Sequence, residues 1–198
     1  MLEEKKIKIA IFASGNGTNM QQIAEHFANH NRIDVAMVFV NNEKAFVIQR
    51  AEKLNIPCVT FHRRDLYDNG KVIGILQENQ IDWIVLSGFL WLMPKDIITL
   101  YHNKIINIHP ALLPNFGGKG MYGHHVHEAV IAARETRTGI SIHYVNEQYD
   151  AGDLIFQASC AVEPNDTPDD VADKIHLLEK KHFPAILEKT ILDAACHG

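Results

Sequence analysis

The chain has 198 residues, 46% of them hydrophobic and 22% charged, with a formal net charge of −5. This suits a single globular domain of ordinary composition and gives no electrostatic reason to expect nucleic-acid binding. No apolar run approaches the roughly 18 residues of a membrane span. The three cysteines (Cys58, Cys160, Cys196) match no metal or redox spacing, so reduced thiols in a cytoplasmic protein are expected.

Residues 7–13, IKIAIFA, run apolar without alternation, the pattern of a strand covered on both faces. The N-terminus enters this strand with no h-region or cleavage site. SGNGTN follows as a turn, and the spacing predicts a helix over 19–30. DVAMVFVN (34–41) reads as a second strand and 44–54 as a helix. Pro57 stands before a short third strand, 58–61. A polar helix over about 66–80 leads to WIVLSG (83–88), the fourth strand. A short helix from near Pro94 leads to KIINIH (104–109), the fifth. Such alternation implies a mostly parallel, doubly wound sheet with helices on both faces, a Rossmann-like α/β arrangement.

After residue 120 the pattern changes. HHVHEAVIAARE reads as a helix. GISIHYV (139–145) and LIFQASCAV (154–162) are close enough in sequence for an antiparallel pair. A long last helix opens at Thr167, which can cap it, with Pro168 suited to the first helical position and Asp169 and Asp170 to its positive end. With no linker, repeat or low-complexity segment, residues 1–198 read as one domain.

Three places carry chemistry. Ser14-Gly15-Asn16-Gly17-Thr18-Asn19 joins a buried strand to a helix, where free N–H groups favour an anion. Met20 stands where a dinucleotide fingerprint needs glycine, and Asn41-Asn42 end the second strand where it needs an acid, so one phosphate fits better than NAD. Second, Asn107 and His109 leave one face at the carboxyl end of the fifth strand, and Pro110 keeps His109 extended. Together they offer two donors for a developing oxyanion. Third, the turn NEQYDAGD (146–153) offers Asp150 and Asp153 as a carboxylate to hold the imidazole charged, and spacing does not choose between them. The remaining histidines make no metal site: His127-Glu128 begins HExxH, but Ile131 occupies its last position, and His124, His125 and His127 point in different helical directions. No metal is expected.

SGNGTN, Gly88-Phe89, NIHPALLP (107–114) and YDAGD (149–153), in this order, make the chain resemble the phosphoribosylglycinamide formyltransferase family, the folate-dependent enzymes of purine synthesis. The resemblance implies transfer of a formyl group from 10-formyltetrahydrofolate, as co-substrate, to the amine of glycinamide ribonucleotide. It implies Asn107, His109 and Asp150 as the catalytic trio; so close a negative charge is expected to favour the charged imidazole and keep His109 protonated to a higher pH than an isolated histidine. It also implies Gly17, Thr18 and Asn19 as phosphate cradle and Glu179 at the ribose. Folate contacts are implied at Arg64, Leu90, Trp91, Leu92, Met93 and Asn107, and in the turn Asn146, Glu147, Gln148, Tyr149 and Asp150. The phosphate-binding half would then be about 1–104, the folate-binding and catalytic half about 105–198, and Leu113–Pro114 a cis peptide. Ala111 replaces a usual serine, Trp91 stands where several members carry arginine, His176 replaces a polar residue, and 117–123 lengthen a loop.

The expected partners are small molecules, with no nucleic acid and no membrane, and the assembly a monomer or homodimer. Formyltetrahydrofolate hydrolase shares the trio but is expected to carry an N-terminal regulatory domain. Methionyl-tRNA formyltransferase is expected to carry a C-terminal RNA-binding domain. A non-catalytic nucleotide-binding protein would leave the trio without purpose.

Overall fold

The computed structural model describes residues 5–197. The chain forms two compact units, one ending at Ile105 and one beginning at Ile106. The first contains β1 (Ile7–Ala13), α1 (Thr18–Phe27), β2 (Ile33–Val40), α2 (Val47–Lys53), β3 (Cys58–Thr60), α3 (Arg63–Tyr67), α4 (Lys71–Glu78), β4 (Trp83–Leu86) and α5 (Lys95–Leu100). Strand β5 (Ile105–His109) spans the boundary; α6 (His124–Ala132), β6 (Arg137–Tyr144), β7 (Leu154–Ala161) and α7 (Pro168–His197) follow. The strands hydrogen-bond in the order β3-β2-β1-β4-β5-β6-β7. β1 pairs in parallel with β2 and β4, and β2 with β3, while β5–β6 and β6–β7 are antiparallel. The expected architecture, mostly parallel with an antiparallel end and a long last helix, is the one observed.

In the first unit the core follows from the apolar run of β1. Ile9 to Ala13 are all fully buried, as a strand with neighbours on both sides requires. Phe12 of β1 lies opposite Phe39 of β2, and their rings stack with centroids 4.6 Å apart. Burying each ring is worth roughly 2–3 kcal/mol. Helix α1 turns Met20, Ile23, Ala24 and Phe27 inward, the i, i+3, i+4, i+7 stripe of an amphipathic helix. The expected helix over 66–80 is instead two, α3 and α4. Gly70, with φ 68°, takes a left-handed conformation between them and starts α4 afresh.

In the second unit, β6 begins at Arg137, two residues before the expected start, because its pairing with β7 extends to Arg137 opposite Ala161. Gly139 on β6 faces β7 so closely that a Cβ there would lie 2.0 Å from the Ala158 carbonyl oxygen. Helix α7 is capped as expected: Asp170 N–H donates to Thr167 Oγ1 (3.2 Å) and Thr167 N–H to an Asp170 carboxylate oxygen (2.8 Å).

His127 on α6 is buried, and its Nδ1 has no hydrogen-bond partner. Burial pulls its pKa from 6.5 down to about 4, helped by the charges of His176, His124 and His109. The unfolded chain therefore binds a proton between pH 6.5 and 4 that the folded chain refuses, and stability falls as pH drops through that window. The full shift is worth about 3 kcal/mol. Urea midpoints should accordingly fall between pH 7.5 and 4.5, and His127→Gln should lose a measurable share of that fall; identical pH slopes in the two proteins would contradict the assignment. Gly139→Ala should lower Tm by at least 5 °C, roughly the effect of 2 kcal/mol in a chain of this length, and an unchanged Tm would mean the β6–β7 approach is looser than described.

Candidate active site

The fifth strand ends in the turn Pro110–Pro114, and a buried serine holds that turn in place. Ser141 of β6, fully buried, donates from Oγ to the Ala111 carbonyl (2.6 Å). It accepts from Leu113 N–H (2.9 Å) and from Gln157 Nε2 (2.8 Å). Gln157 also donates to the Leu113 carbonyl (3.0 Å). All of the hydroxyl's hydrogen-bonding capacity is used, which a buried polar group needs. The Leu113–Pro114 peptide is cis.

Within this second unit the chain brings Asn107, His109 and Asp150 together. Asp150 lies in a left-handed conformation (φ 52°) at the end of the 146–150 turn. One of its carboxylate oxygens accepts from Gly118 N–H (2.9 Å) and faces His109 Nδ1 at 3.5 Å. The other faces Asn107 Nδ2 at 3.4 Å and His143 Nε2 at 3.6 Å. Asp150, rather than Asp153, therefore stands beside His109; Asp153 is exposed and uses its backbone carbonyl to accept from Tyr144 N–H (2.9 Å). The turn that carries Asp150 is tied by Asn146, whose Nδ2 donates to the Ala151 carbonyl (3.0 Å) and whose Oδ1 accepts from Gln148 N–H (2.9 Å). Glu147, Gln148 and Tyr149 are exposed along it.

The sequence reading did not single out His143, Phe116 or Gly118. His143 is buried on β6 opposite Asn107. Its Nδ1 lies 2.8 Å from the Tyr144 carbonyl, and its Nε2 lies 3.0 Å from Asn107 Nδ2 and 3.6 Å from the Asp150 carboxylate. The His109 Nε2–H donates to the Phe116 carbonyl (2.7 Å). Only the β5–β6 register exposes these partnerships, since His143 lies 36 residues from Asn107.

The charge state of His109 differs from expectation. Burial pulls its pKa below the ordinary histidine value, and His143 adds to that. Asp150 and the Phe116 carbonyl push upward, as expected, but do not overcome burial. The expected net rise is therefore overturned. For Asp150, burial acts upward, yet the His143 hydrogen bond, the facing His109 and the Gly118 N–H outweigh it and hold the carboxyl below its ordinary value. At neutral pH the cluster is an ionised acid beside a predominantly neutral imidazole.

In the first unit, Gly17 caps α1 with φ 79°, and a Cβ on it would lie 2.4 Å from Val47 Cγ2, so only glycine fits. Thr18 and Asn19 open the helix. Ser14 connects this turn to the Leu90–Met93 loop: its N–H donates to the Gly88 carbonyl and its Oγ accepts from Leu90 N–H, both at 3.1 Å. Leu90 is 42% exposed, Trp91 and Leu92 are half-buried and Met93 is buried. Arg64 is exposed on α3; the neighbouring Arg63 stacks instead on Tyr67 (4.9 Å) and Trp91 (5.9 Å). Glu179 is buried on α7. Among the described residues no group of three or more His, Cys, Asp or Glu could hold a metal ion, and no helix is long and apolar enough to cross a membrane.

The chain is similar to known proteins over nearly its whole length. The formyl transferase family model matches residues 7–187. A chloroplastic phosphoribosylglycinamide formyltransferase of Arabidopsis thaliana is 34% identical over 199 residues, spanning 96% of this chain and 68% of the relative. Phosphoribosylglycinamide formyltransferase of Bacillus subtilis (strain 168) is 33% identical over 190 residues, spanning 93% and 94%. The crystal structure of phosphoribosylglycinamide formyltransferase from Bacillus Halodurans superposes with a TM-score of 0.84 at 34% identity, covering 94% of this chain and 96% of that one. With the family model matched over residues 7–187 and a relative 33% identical along nearly its full length, the chain belongs to the formyl transferase family.

Proposed function

We propose that the protein transfers the formyl group of 10-formyltetrahydrofolate to the amino group of 5-phosphoribosylglycinamide, giving formylglycinamide ribonucleotide and tetrahydrofolate. The observation that carries this reading is the half-buried Asp150 carboxylate facing both Asn107 and His109. The formylfolate supplies an activated carbonyl carbon. The protein must then stabilise the negative charge that appears on its oxygen when the amine attacks, and must move one proton from the amine to the departing folate nitrogen.

His109 and Asn107 supply the first need. A neutral imidazole with its Nε2–H already fixed by Phe116 is a preorganised donor, and the Asn107 amide is oriented by His143. Both donors exchange a protein acceptor for the developing oxyanion, so neither is desolvated at the moment of reaction. Asp150 supplies the second need. Held ionised, it accepts the amine proton directly or through water and returns it to the departing folate nitrogen, and its charge favours transient protonation of His109. Gly17, Thr18 and Asn19 are assigned to the substrate phosphate and Glu179 to the ribose. Folate contacts are assigned to Arg64, Leu90, Trp91, Leu92, Met93 and Asn107 and to the turn of Asn146, Glu147, Gln148, Tyr149 and Asp150. The half-buried Trp91 and Leu92 suit a flat heteroaromatic ring, and the cationic Arg63 over Trp91, with Arg64 exposed next to it in sequence, suits an acidic tail.

Incubation with a 10-formylfolate, with and without glycinamide ribonucleotide, tests the reading. Folate release should require the ribonucleotide; equal release without it would make the protein a hydrolase. Asp150→Asn keeps the shape and the Gly118 contact but removes the charge. Its kcat should fall on the order of 10²-fold or more, with KM for the ribonucleotide little changed, while Asp153→Asn should be mild. Near wild-type kcat in Asp150→Asn would remove the carboxylate from the mechanism.

A further inference from the structure

Arg50 belongs to no motif and lies on α2, 34 residues from Asn16, yet its guanidinium is committed to the glycine turn. Its Nε–H donates to the Asn16 carbonyl (2.9 Å), one terminal nitrogen to Asn16 Oδ1 (2.7 Å), and the other to Gln21 Oε1 on α1. The guanidinium also lies 5.0 Å from the ring centre of Phe46. Three residues before it, Val47 donates its N–H to the Gly15 carbonyl (3.1 Å). The start of α2 thus holds two consecutive carbonyls of the turn.

In a planar trans peptide the carbonyl and the following N–H point in opposite directions. Holding the Asn16 carbonyl toward α2 therefore turns the Gly17 N–H away from it, and holding the Gly15 carbonyl does the same for Asn16 N–H. The next N–H groups, of Thr18 and Asn19, open α1 and have no intrahelical acceptor. Left to itself, a turn containing two glycines would sample many peptide orientations. We propose that Arg50 is a positioning residue for the substrate phosphate: it aims the Gly17 N–H without touching the ligand. This rests on the reading of the turn as the phosphate site of a glycinamide ribonucleotide formyltransferase. The role needs arginine, because only a planar fork reaches the Asn16 backbone and side chain and Gln21 together; a lysine keeps the charge but not the fork.

Steady-state kinetics of Arg50→Met and Arg50→Lys test this, measured with glycinamide ribonucleotide and with the riboside that lacks phosphate. Both variants should raise KM for the ribonucleotide roughly tenfold, the scale of one misdirected charge-accepting hydrogen bond. They should leave kcat and the formylfolate KM within about twofold, and the preference for ribonucleotide over riboside should shrink by the same factor. Asn16→Ala removes one acceptor of the fork, leaves α2 intact and should raise KM two- to threefold (~0.5 kcal/mol), so the test survives if an Arg50 variant fails to fold. An unchanged ribonucleotide KM in the folded variants overturns the proposal. So does full recovery in Arg50→Lys, which would mean that charge alone matters. A wild-type protein that does not turn over the ribonucleotide contradicts the functional reading itself, whatever the variants do.

Discussion

The second unit is arranged around the half-buried carboxylate of Asp150, whose side chain is 11% exposed. A carboxylate taken out of water is stable only when hydrogen bonds and opposite or polarisable groups replace its solvation. Asp150 receives this from Gly118 N–H, Asn107, His109 and His143, which come from three separate stretches of chain. The local backbone serves the same end. Asp150 adopts positive φ, and Gly152 follows where a Cβ would lie 1.7 Å from the Tyr144 carbonyl oxygen. A Cβ on Gly117, beside the donor Gly118, would lie 2.5 Å from Leu113 Cδ2 and 3.3 Å from Asp150 Cβ. The stiff, glycine-rich segment after β5 brings a backbone N–H onto the carboxylate.

The electrostatic result differs from a simple ion pair. Both nitrogens of His109 face acceptors, a geometry that favours the cation. The ring is nonetheless only 3% exposed, and burial outweighs the two acceptors. Asp150 remains ionised because the His143 hydrogen bond, the facing His109 and the Gly118 N–H together outweigh its burial. An ionised acid beside a neutral, oriented imidazole suits a reaction that needs a proton acceptor and an oxyanion donor at the same time.

Much of this was legible in the sequence where a rule is local. The unbroken apolar run of β1, the i, i+3, i+4 stripe of α1 and the Thr167 cap of α7 each depend on neighbours a few residues away. Asn107 and His109 were legible because alternation along a strand puts them on one face. Contacts across register were not. His143 looked like one more residue in a strand until β5–β6 pairing set it opposite Asn107. Arg50 belongs to no motif, and its bond to the glycine turn spans 34 residues of chain. Spacing left Asp150 and Asp153 open, and the turn geometry separates them. The net charge preference of His109 was misjudged because sequence shows the neighbouring carboxylate but not the depth of burial.

The central claim is that Asp150 supplies a charge that His109 feels, in a setting buried enough to keep His109 neutral at physiological pH. The direct measurement is a pH titration of the ¹⁵N-labelled His109 ring by NMR, in the wild-type protein and in Asp150→Asn. The account predicts a His109 midpoint below that of an exposed histidine, and a lower one still in Asp150→Asn, where the only upward charge is gone. A wild-type midpoint above that of an exposed histidine, or one that Asp150→Asn leaves unmoved, would contradict it.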